Sequence, residues 1–295
     1  MLRRMFCLSL VCWTAASLTP VSIAIAADLP YTQTKNVVYA ETDGVGLVMD
    51  IFTPTGPANG LAIVDVVSGA WDSDRSKIEQ HRMAQMYDIF CGRGYTVFGV
   101  RPGSKSKFSL SEMAKHVKLG IGWVKDHAEE YKIDPNKLGL AGASAGGHLA
   151  SLVAVTADDK SRVEAVGVFF PPTNFLKFRG VEIDENSPPE RFIMVKALVY
   201  PNGNAPNDKA KMIDALKAIS PALLATDKAP PFLLIHGDAD PLVPLDQSEM
   251  LKKSLDECGV SCELIVKKGG AHPWPTIHEE VAVIADWFDK RLAGK

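Results

Sequence analysis

Short apolar stretches alternate with helical stretches along most of this chain, and this alternation restricts the fold more than any other feature. Stretches typical of strands covered on both faces lie at residues 61–67, 95–100, 137–141, 163–170, 232–236 and 262–266. Helical stretches with one apolar side lie between or after them, at residues 77–91, 111–131, 145–156, 245–258 and 276–292. Strands and helices that alternate in this way form a parallel sheet with right-handed connections and helices on both faces.

An antiparallel hairpin and one long connection complete this pattern. Residues 36–41 and 47–52 alternate between apolar and polar side chains around a turn at residues 43–44, which is typical of a hairpin. Residues 171–231 separate two strands, and a connection of about 60 residues in a compact domain is usually functional. We therefore predict a single α/β domain over residues 27–295, with a mostly parallel sheet of about eight strands. Residues 171–231 are predicted to form a cap over the strand ends.

The first 26 residues are typical of a cleavable export signal. They begin with the basic residues Arg3 and Arg4, continue with an apolar stretch at residues 6–18, and end in a small-x-small pattern at residues 24–26. Because the apolar stretch is shorter than the roughly 20 residues that a spanning helix needs, a signal is favoured over a membrane anchor. We predict cleavage after Ala26 and a secreted or periplasmic protein without a membrane span.

The composition of the 295-residue chain excludes several classes of protein. Hydrophobic residues make up 46% of the chain and charged residues 23%, which is typical of a folded domain and not of a disordered or repetitive chain. The formal net charge is −3, from 32 basic and 35 acidic side chains. Such a chain lacks the basic surface that nucleic-acid binding requires, so no nucleic-acid partner is predicted.

One pentapeptide indicates a nucleophile. It is Gly142-Ala143-Ser144-Ala145-Gly146, which matches the G-x-S-x-G pattern. The pentapeptide follows a predicted strand and opens a predicted helix, which is the setting of a nucleophile elbow. Such a turn lifts the Ser144 hydroxyl away from the sheet, and the glycines avoid collisions with neighbouring backbone. Because the helix start and the amide of Ala145 point to where negative charge develops, we predict Ala145 as an oxyanion donor.

A serine nucleophile needs a base that takes its proton and an acid that holds the base. Of the seven histidines, His272 lies in a glycine-rich loop after the last predicted strand, where it can reach Ser144. His278 is the second candidate for the base. Two aspartates, Asp238 and Asp240, follow the next-to-last predicted strand. We predict that Asp240 is the acid and that Asp238 braces the turn.

The order of serine, aspartate and histidine along the chain is that of an α/β-hydrolase triad. The segments around them, residues 131–150 and 231–248, closely match the pattern of one group in this superfamily. From residue 37 to 292 the chain resembles the esterase/lipase group that includes hormone-sensitive-lipase-like enzymes and feruloyl or acetyl-xylan esterase-like (BD-FAE-type) proteins. The resemblance implies an α/β-hydrolase fold, and it places the catalytic acid on Asp240.

Two loops depart from the pattern of that family. The family usually carries His-Gly-Gly-x-Trp after its third strand, and backbone amides of this loop help to bind the oxyanion. Here the loop reads Val-Ser-Gly-Ala-Trp over residues 67–71, so Gly69 and Ala70 are the predicted donors. The family has glycine after its catalytic histidine where this chain has Pro273, which restricts His272 to extended conformations. A catalytically impaired binding protein of the same fold therefore remains an alternative.

Together these features predict an exported serine carboxylic-ester hydrolase that works through an acyl-enzyme and needs no metal or organic cofactor. The expected substrate is a small-molecule or polysaccharide-linked ester with a short-chain or aromatic acyl group. Trp71 and Trp274 flank the two catalytic loops and are predicted to line the substrate pocket. Some of six further aromatic residues are also expected to line it: Phe169, Phe170, Phe175, Phe178, Phe192 and Tyr200. A serine exopeptidase is the alternative enzyme class.

Two cysteines lie close together in Cys258-Gly-Val-Ser-Cys262, where a predicted helix ends and a strand begins. A turn of this length can bring the α-carbons within the roughly 4.4–6.8 Å that a disulfide needs. Because export leads to an oxidising compartment, we predict a disulfide between Cys258 and Cys262. Cys91 is predicted to be a small buried apolar residue.

Overall fold

The computed structural model describes residues 29–201, 203 and 205–294. The predicted signal segment, residues 1–26, and the predicted cleavage after Ala26 lie outside the described residues. Over the part of the chain that is described, no helix is both long enough and apolar enough to cross a membrane.

The central sheet contains eight strands in the described part of the chain. They are β1 (Tyr31–Thr42), β2 (Val45–Pro54), β3 (Ala62–Val66), β4 (Thr96–Arg101), β5 (Leu138–Ala143), β6 (Ala165–Phe169), β7 (Phe232–Gly237) and β8 (Cys262–Lys267). Their order across the sheet is β1-β2-β4-β3-β5-β6-β7-β8. Strands β1 and β2 pair antiparallel, as do β2 and β4, and all other neighbours pair parallel. The predicted mostly parallel sheet is confirmed.

Helices cover both faces of the sheet. Among the described residues they are α1 (Arg75–Met83), α2 (Met86–Gly92), α3 (Leu110–Asp126), α4 (Ala128–Tyr131), α5 (Ala145–Val155), α6 (Ile193–Val199), α7 (Lys209–Lys217), α8 (Asp246–Glu257) and α9 (Ile277–Leu292). Successive side chains of a strand point to opposite faces. Val64 therefore joins a core with α3, α5 and α8, whereas Ile63 joins a second core with α1, α2 and α9.

Two stretches that the sequence predicts as single helices are each interrupted. The stretch at residues 77–91 is divided between α1 and α2, because Gln85 has a left-handed φ of 57° that a continuous helix cannot contain. In the stretch at residues 111–131, α3 ends one residue before His127. The His127 ring stacks on Trp123 with 3.8 Å between ring centroids, and its Nδ1–H donates to the Trp123 carbonyl at 2.8 Å.

The segment of residues 171–231, called the cap segment below, lies between β6 and β7. It contains α6, α7, two short 3-10 helices and a small hairpin in which Lys177–Phe178 pairs with Val181–Glu182. Gln247 of α8 fixes the first part of this segment, since its side-chain oxygen accepts the N–H groups of Thr173 and Asn174 at 3.0 and 2.9 Å. The cap segment is therefore attached to the sheet domain by buried hydrogen bonds.

The two cysteines predicted to form a disulfide are free thiols in the structure. The Cys258 thiol donates to the carbonyl of Ala225 at 3.4 Å, whereas the Cys262 thiol is directed to the carbonyl of Glu263 at 3.9 Å. Because the two sulfur atoms face different partners, the disulfide prediction is corrected. Burial raises the pKa of Cys262 to about 12, so this thiol is protonated at neutral pH. Cys91 is buried, as the sequence predicts.

Candidate active site

Ser144 lies in the sharp turn between β5 and α5, with φ 53° and ψ −119°. A residue other than glycine rarely has a positive φ, and such strain is common where a side chain must be presented for chemistry. The turn is tight on both sides. A Cβ atom on Gly142 would lie 2.7 Å from the backbone of Gly146, and one on Gly146 would lie 2.1 Å from the carbonyl oxygen of Val66. These glycines are therefore required by the close packing of the elbow.

The structure brings together the three residues that the sequence selects as nucleophile, base and acid. His272 lies in the loop after β8, and its Nε2 is 2.8 Å from the Oγ of Ser144. Its Nδ1 is 2.6 Å from Oδ2 of Asp240, in the loop after β7. Since a carboxylate only accepts, Nδ1 carries the proton and Nε2 accepts from the serine hydroxyl. Pro273 leaves the imidazole ring within reach of both partners.

Asp240 is held as a carboxylate by four neighbours. Its Oδ1 accepts the N–H groups of Leu242 and Val243 at 2.8 and 2.9 Å. Burial by itself raises the pKa of Asp240, but the nearby His236 ring and the hydrogen bonds from His272 and from these two amides outweigh burial. The pKa of Asp240 is therefore well below its usual range, and the side chain carries a full negative charge beside His272 at neutral pH.

The two alternative residues of the sequence analysis have other positions. Asp238 accepts the N–H of Gly269 at 2.6 Å, so it joins the loop after β7 to the loop that carries His272. This contact agrees with the bracing role predicted for Asp238. His278 lies in the first turn of α9.

His236 is a supporting residue whose contact with the acid the sequence does not reveal. Its ring is fully buried, with Nδ1 2.7 Å from the Oγ of Ser248 and Nε2 donating to the carbonyl of Val243 at 2.8 Å. The Nε2 atom also lies 3.6 Å from Oδ2 of Asp240. His236 therefore fixes the loop that holds the acid, as a histidine at the end of a buried strand can do.

Of the three predicted oxyanion donors, two have backbone amides without a protein acceptor among the described residues, and the third, Gly69, has an amide that is already bound. The N–H of Gly69 donates to the carbonyl of Asp72 at 2.9 Å, so it is already engaged within its own loop. Ala70 and Trp71, which follow, have left-handed φ values of 50° and 60°. Within the described residues, neither the Ala70 N–H nor the Ala145 N–H has a protein acceptor. Ala70 and Ala145 are therefore the candidate oxyanion donors.

His148 connects the loop after β3 to the cap segment. Its Nδ1 accepts from the indole N–H of Trp71 at 3.1 Å, and its Nε2 donates to the carbonyl of Ile219 at 2.8 Å. Burial lowers the pKa of His148 to about 4, although the hydrogen bond to Ile219 opposes this change. The ring is therefore neutral at pH 7, and it fixes the position of Trp71 beside Ser144.

A cavity of about 810 Å³ borders Ser144 and His272. This volume is typical of a small-molecule site. Its lining includes Trp71 and Trp274, as predicted, and four of the six further aromatic candidates: Phe169, Phe170, Phe175 and Phe178. Phe192 is instead buried in the core with α3 and α5, and Tyr200 packs against that core. The cavity lies between the sheet edge and the cap segment.

The sheet order, the elbow at Ser144 and the loops that carry the acid and the base define an α/β-hydrolase. The family model BD-FAE matches residues 49–255 of the chain. This match covers more than half of the chain, and the protein belongs to the BD-FAE family.

Several known proteins with a similar sequence or fold are esterases. Esterase LipQ of Mycobacterium tuberculosis is 26% identical over 254 residues, which are 81% of this chain and 56% of LipQ. The chain spans between 42% and 60% of the length of LipQ and two related proteins of that organism.

Two solved structures share the fold. A truncated carbohydrate esterase from gut microbiota has a TM-score of 0.75 and 25% identity, with 91% of this chain and 99% of that chain covered. An esterase of the planctomycete Thermogutta terrifontis has a TM-score of 0.67 and 24% identity, with coverage of 87% and 91%. At this identity, the second likeness shows the fold alone.

Proposed function

We propose that the protein is a serine carboxylic-ester hydrolase. The observation that carries this proposal is the continuous hydrogen-bond chain from Ser144 through His272 to Asp240, with distances of 2.8 and 2.6 Å. Ser144, the first residue of this hydrogen-bond series, borders a mostly apolar cavity, which the free amides of Ala70 and Ala145 also border. The esterases with similar sequence support the same activity.

The geometry supports acylation by general-base catalysis. Ser144 Oγ attacks the ester carbonyl carbon while its proton moves to Nε2 of His272. The ionised Asp240 stabilises the imidazolium that forms and keeps the ring in the reactive tautomer. The amides of Ala70 and Ala145 donate to the carbonyl oxygen as it becomes negative. The imidazolium then returns the proton to the leaving alcohol, and an acyl-serine ester remains.

Deacylation uses the same groups with water as the nucleophile. His272 Nε2 takes a proton from water, which attacks the acyl carbon, and the proton then passes to Ser144 Oγ as the acid leaves. The aromatic residues of the cavity support a short-chain or aromatic acyl group.

We further propose that the protein is exported, and this proposal rests on residues 1–26 alone.

Replacement of the nucleophile tests this function. We expect Ser144→Ala to lower kcat/KM for p-nitrophenyl butyrate by at least about 10⁴-fold, because the acyl-enzyme cannot form. Ser151→Ala is the matched control, since Ser151 is a buried serine of the same helix that only donates to the Gly147 carbonyl at 2.8 Å. Its activity should stay within about tenfold of the wild type, as expected for loss of one neutral hydrogen bond. Near-normal hydrolysis by Ser144→Ala would contradict the proposal.

Covalent labelling separates an active enzyme from an impaired binding protein of the same fold. A fluorophosphonate modifies a serine only when an adjacent base activates it. We expect labelling of the wild type at Ser144 and none in Ser144→Ala. An unlabelled wild type would favour the binding protein, and faster turnover of peptidyl amides than of esters would favour the exopeptidase.

A further inference from the structure

One wall of the cavity is polar, and the proposed ester hydrolysis does not use it. Lys77, Gln80 and His81 all line the cavity. They are spaced three and four residues apart on α1, so they lie on one face of that helix. Arg179, at the turn of the small hairpin in the cap segment, also lines the cavity.

The charges on this lining are of one sign. Lys77 and Arg179 are its cations, and among the described residues that line the cavity there is no aspartate or glutamate. The formal net charge of the whole chain is −3, so the charge on the cavity lining is opposite in sign to the net charge of the chain. A cleft lined by one sign of charge concentrates ligands of the opposite sign.

Lys77 lies beside the loop of residues 67–71 after β3, called the oxyanion loop below, and it can bind an anion. Its Cδ and Cε atoms are 3.1 and 3.3 Å from the position that a Cβ atom on Gly69 would occupy. The Lys77 side chain is only 19% exposed, and its Nζ is 3.9 Å from a carboxylate oxygen of Asp74, which is 56% exposed. An ion pair of that length with an exposed partner is weak, so the ammonium can exchange it for a substrate anion.

His81 presents a second polar group, which a buried carboxylate orients. Its Nδ1 lies 2.7 Å from Oδ2 of Asp65, and the same oxygen accepts from the Tyr87 hydroxyl at 3.1 Å. Asp65 is fully buried, and its Oδ1 has no hydrogen-bond partner in the described structure. Since Nδ1 carries the proton that faces Asp65, Nε2 can accept a hydrogen bond from a donor group of a ligand.

We propose that the natural substrate of this hydrolase is an ester that carries a free carboxylate, bound by the two cations of the lining, Lys77 of α1 and Arg179 of the cap segment. This inference rests on the proposed ester hydrolysis. The carboxylate belongs either to the acyl part or to the alcohol part of the ester, and both have the same chemistry. Two pairs of substrates distinguish these sources.

The experiment compares esters that differ only in a carboxylate. For the acyl part, the pair is p-nitrophenyl hexanoate and the mono-p-nitrophenyl ester of adipic acid. For the alcohol part, the pair is phenyl acetate and 3-acetoxybenzoate. We expect kcat/KM to be at least about tenfold higher for the acidic member of one pair, as a charge-assisted hydrogen bond away from bulk water provides. Raising the salt concentration from about 0.02 to 0.5 M should reduce this preference.

Removing the charge of Lys77 tests whether this residue of α1 causes the preference for acidic esters. In Lys77→Met the ratio of kcat/KM for the acidic and neutral esters should fall about tenfold. Lys115→Met is the matched control, because Lys115 is an exposed lysine on α3 that does not line the cavity. This control should keep the wild-type ratio.

Failure of this inference can be told apart from failure of the proposed function. If neutral esters are hydrolysed through Ser144 but neither acidic ester is preferred, the carboxylate subsite is wrong and the hydrolase stands. If no ester is hydrolysed, calorimetry with Ser144→Ala still tests the subsite. In one of the two pairs the acidic ester should then bind at least about tenfold more tightly than its neutral partner, and equal affinities within both pairs would overturn the subsite.

Discussion

At the scale of single residues, the candidate triad depends on charge as much as on distance. His272 can accept a proton from Ser144 only while its own Nδ1–H is held by a carboxylate. Asp240 meets this requirement because the Leu242 and Val243 amides bind one oxygen and leave the other for His272. The acid is thus held in position by backbone that does not take part in the reaction.

Replacement of the acid by its amide tests this dependence. In Asp240→Asn we expect kcat to fall by about 10⁴-fold with the fold intact, because an amide N–H facing Nδ1 favours the unreactive imidazole tautomer. Steady-state kinetics with p-nitrophenyl butyrate measure the loss, and circular dichroism checks the fold. Asp238→Asn is the matched control, since its side-chain oxygen can still accept from Gly269. An equal loss in both variants would contradict the assignment of the acid.

The order of the triad could be predicted from the sequence, but the oxyanion donors could be predicted only in part. Ser144, Asp240 and His272 each follow a predicted strand, and the ends of parallel strands meet at one edge of a sheet. The amide of Gly69 is different, because its engagement with Asp72 depends on a turn through two residues with positive φ. Alanine and tryptophan rarely adopt that conformation, so no sequence signal indicates it.

At the scale of helices and strands, the interruption between α1 and α2 arises from packing and not from a local signal. Residues 84–86 include neither glycine nor proline, so the sequence predicts a continuous helix. The structure instead turns α2 so that Tyr87 and Phe90 are fully buried. The Tyr87 hydroxyl then reaches Asp65, which also holds His81 of α1. A buried carboxylate on β3 thus connects both helices.

The contact of His148 with two other elements predicts a pH-dependent stability. Burial lowers the pKa of His148 to about 4 from its ordinary 6.5. Between these values the unfolded chain binds a proton at this residue that the folded protein does not bind. The free energy of unfolding should therefore decrease as the pH falls from about 6.5 to 4, by up to about 3 kcal/mol from this residue.

A variant without the imidazole isolates that contribution. His148→Gln should be less stable than the wild type at pH 7, because at least one of the hydrogen bonds to Trp71 and Ile219 is lost. The difference in unfolding free energy should shrink as the pH falls to 4, since glutamine does not titrate. Urea unfolding of both proteins at pH 7, 5.5 and 4 measures it. A difference that stays constant with pH would show that folded His148 binds its proton readily.

At the scale of the whole molecule, the site is assembled from loops that are distant in sequence. Ser144 and His272 are 128 residues apart, yet their loops follow the parallel strands β5 and β8 of one sheet. The oxyanion loop follows β3 and the loop of Asp240 follows β7, so the carboxyl edge of the sheet collects all four. This convergence follows from the sheet topology. The positions of the catalytic loops could therefore be predicted from the order of strands along the sequence.

The position of β1 is compatible with the predicted cleavage after Ala26. Tyr31 is buried as the first residue of β1, and the carbonyl of Pro30 accepts from the Thr55 amide at 2.9 Å. Cleavage after Ala26 would therefore remove no residue of the sheet. When the full chain is expressed in a Gram-negative host, we expect a periplasmic protein with Ala27 at its N-terminus, identified by intact mass and N-terminal sequencing. Ala26→Lys should block cleavage, because the position before the cut requires a small residue. A wild-type protein that keeps residues 1–26 would show that this segment is not a cleavable signal.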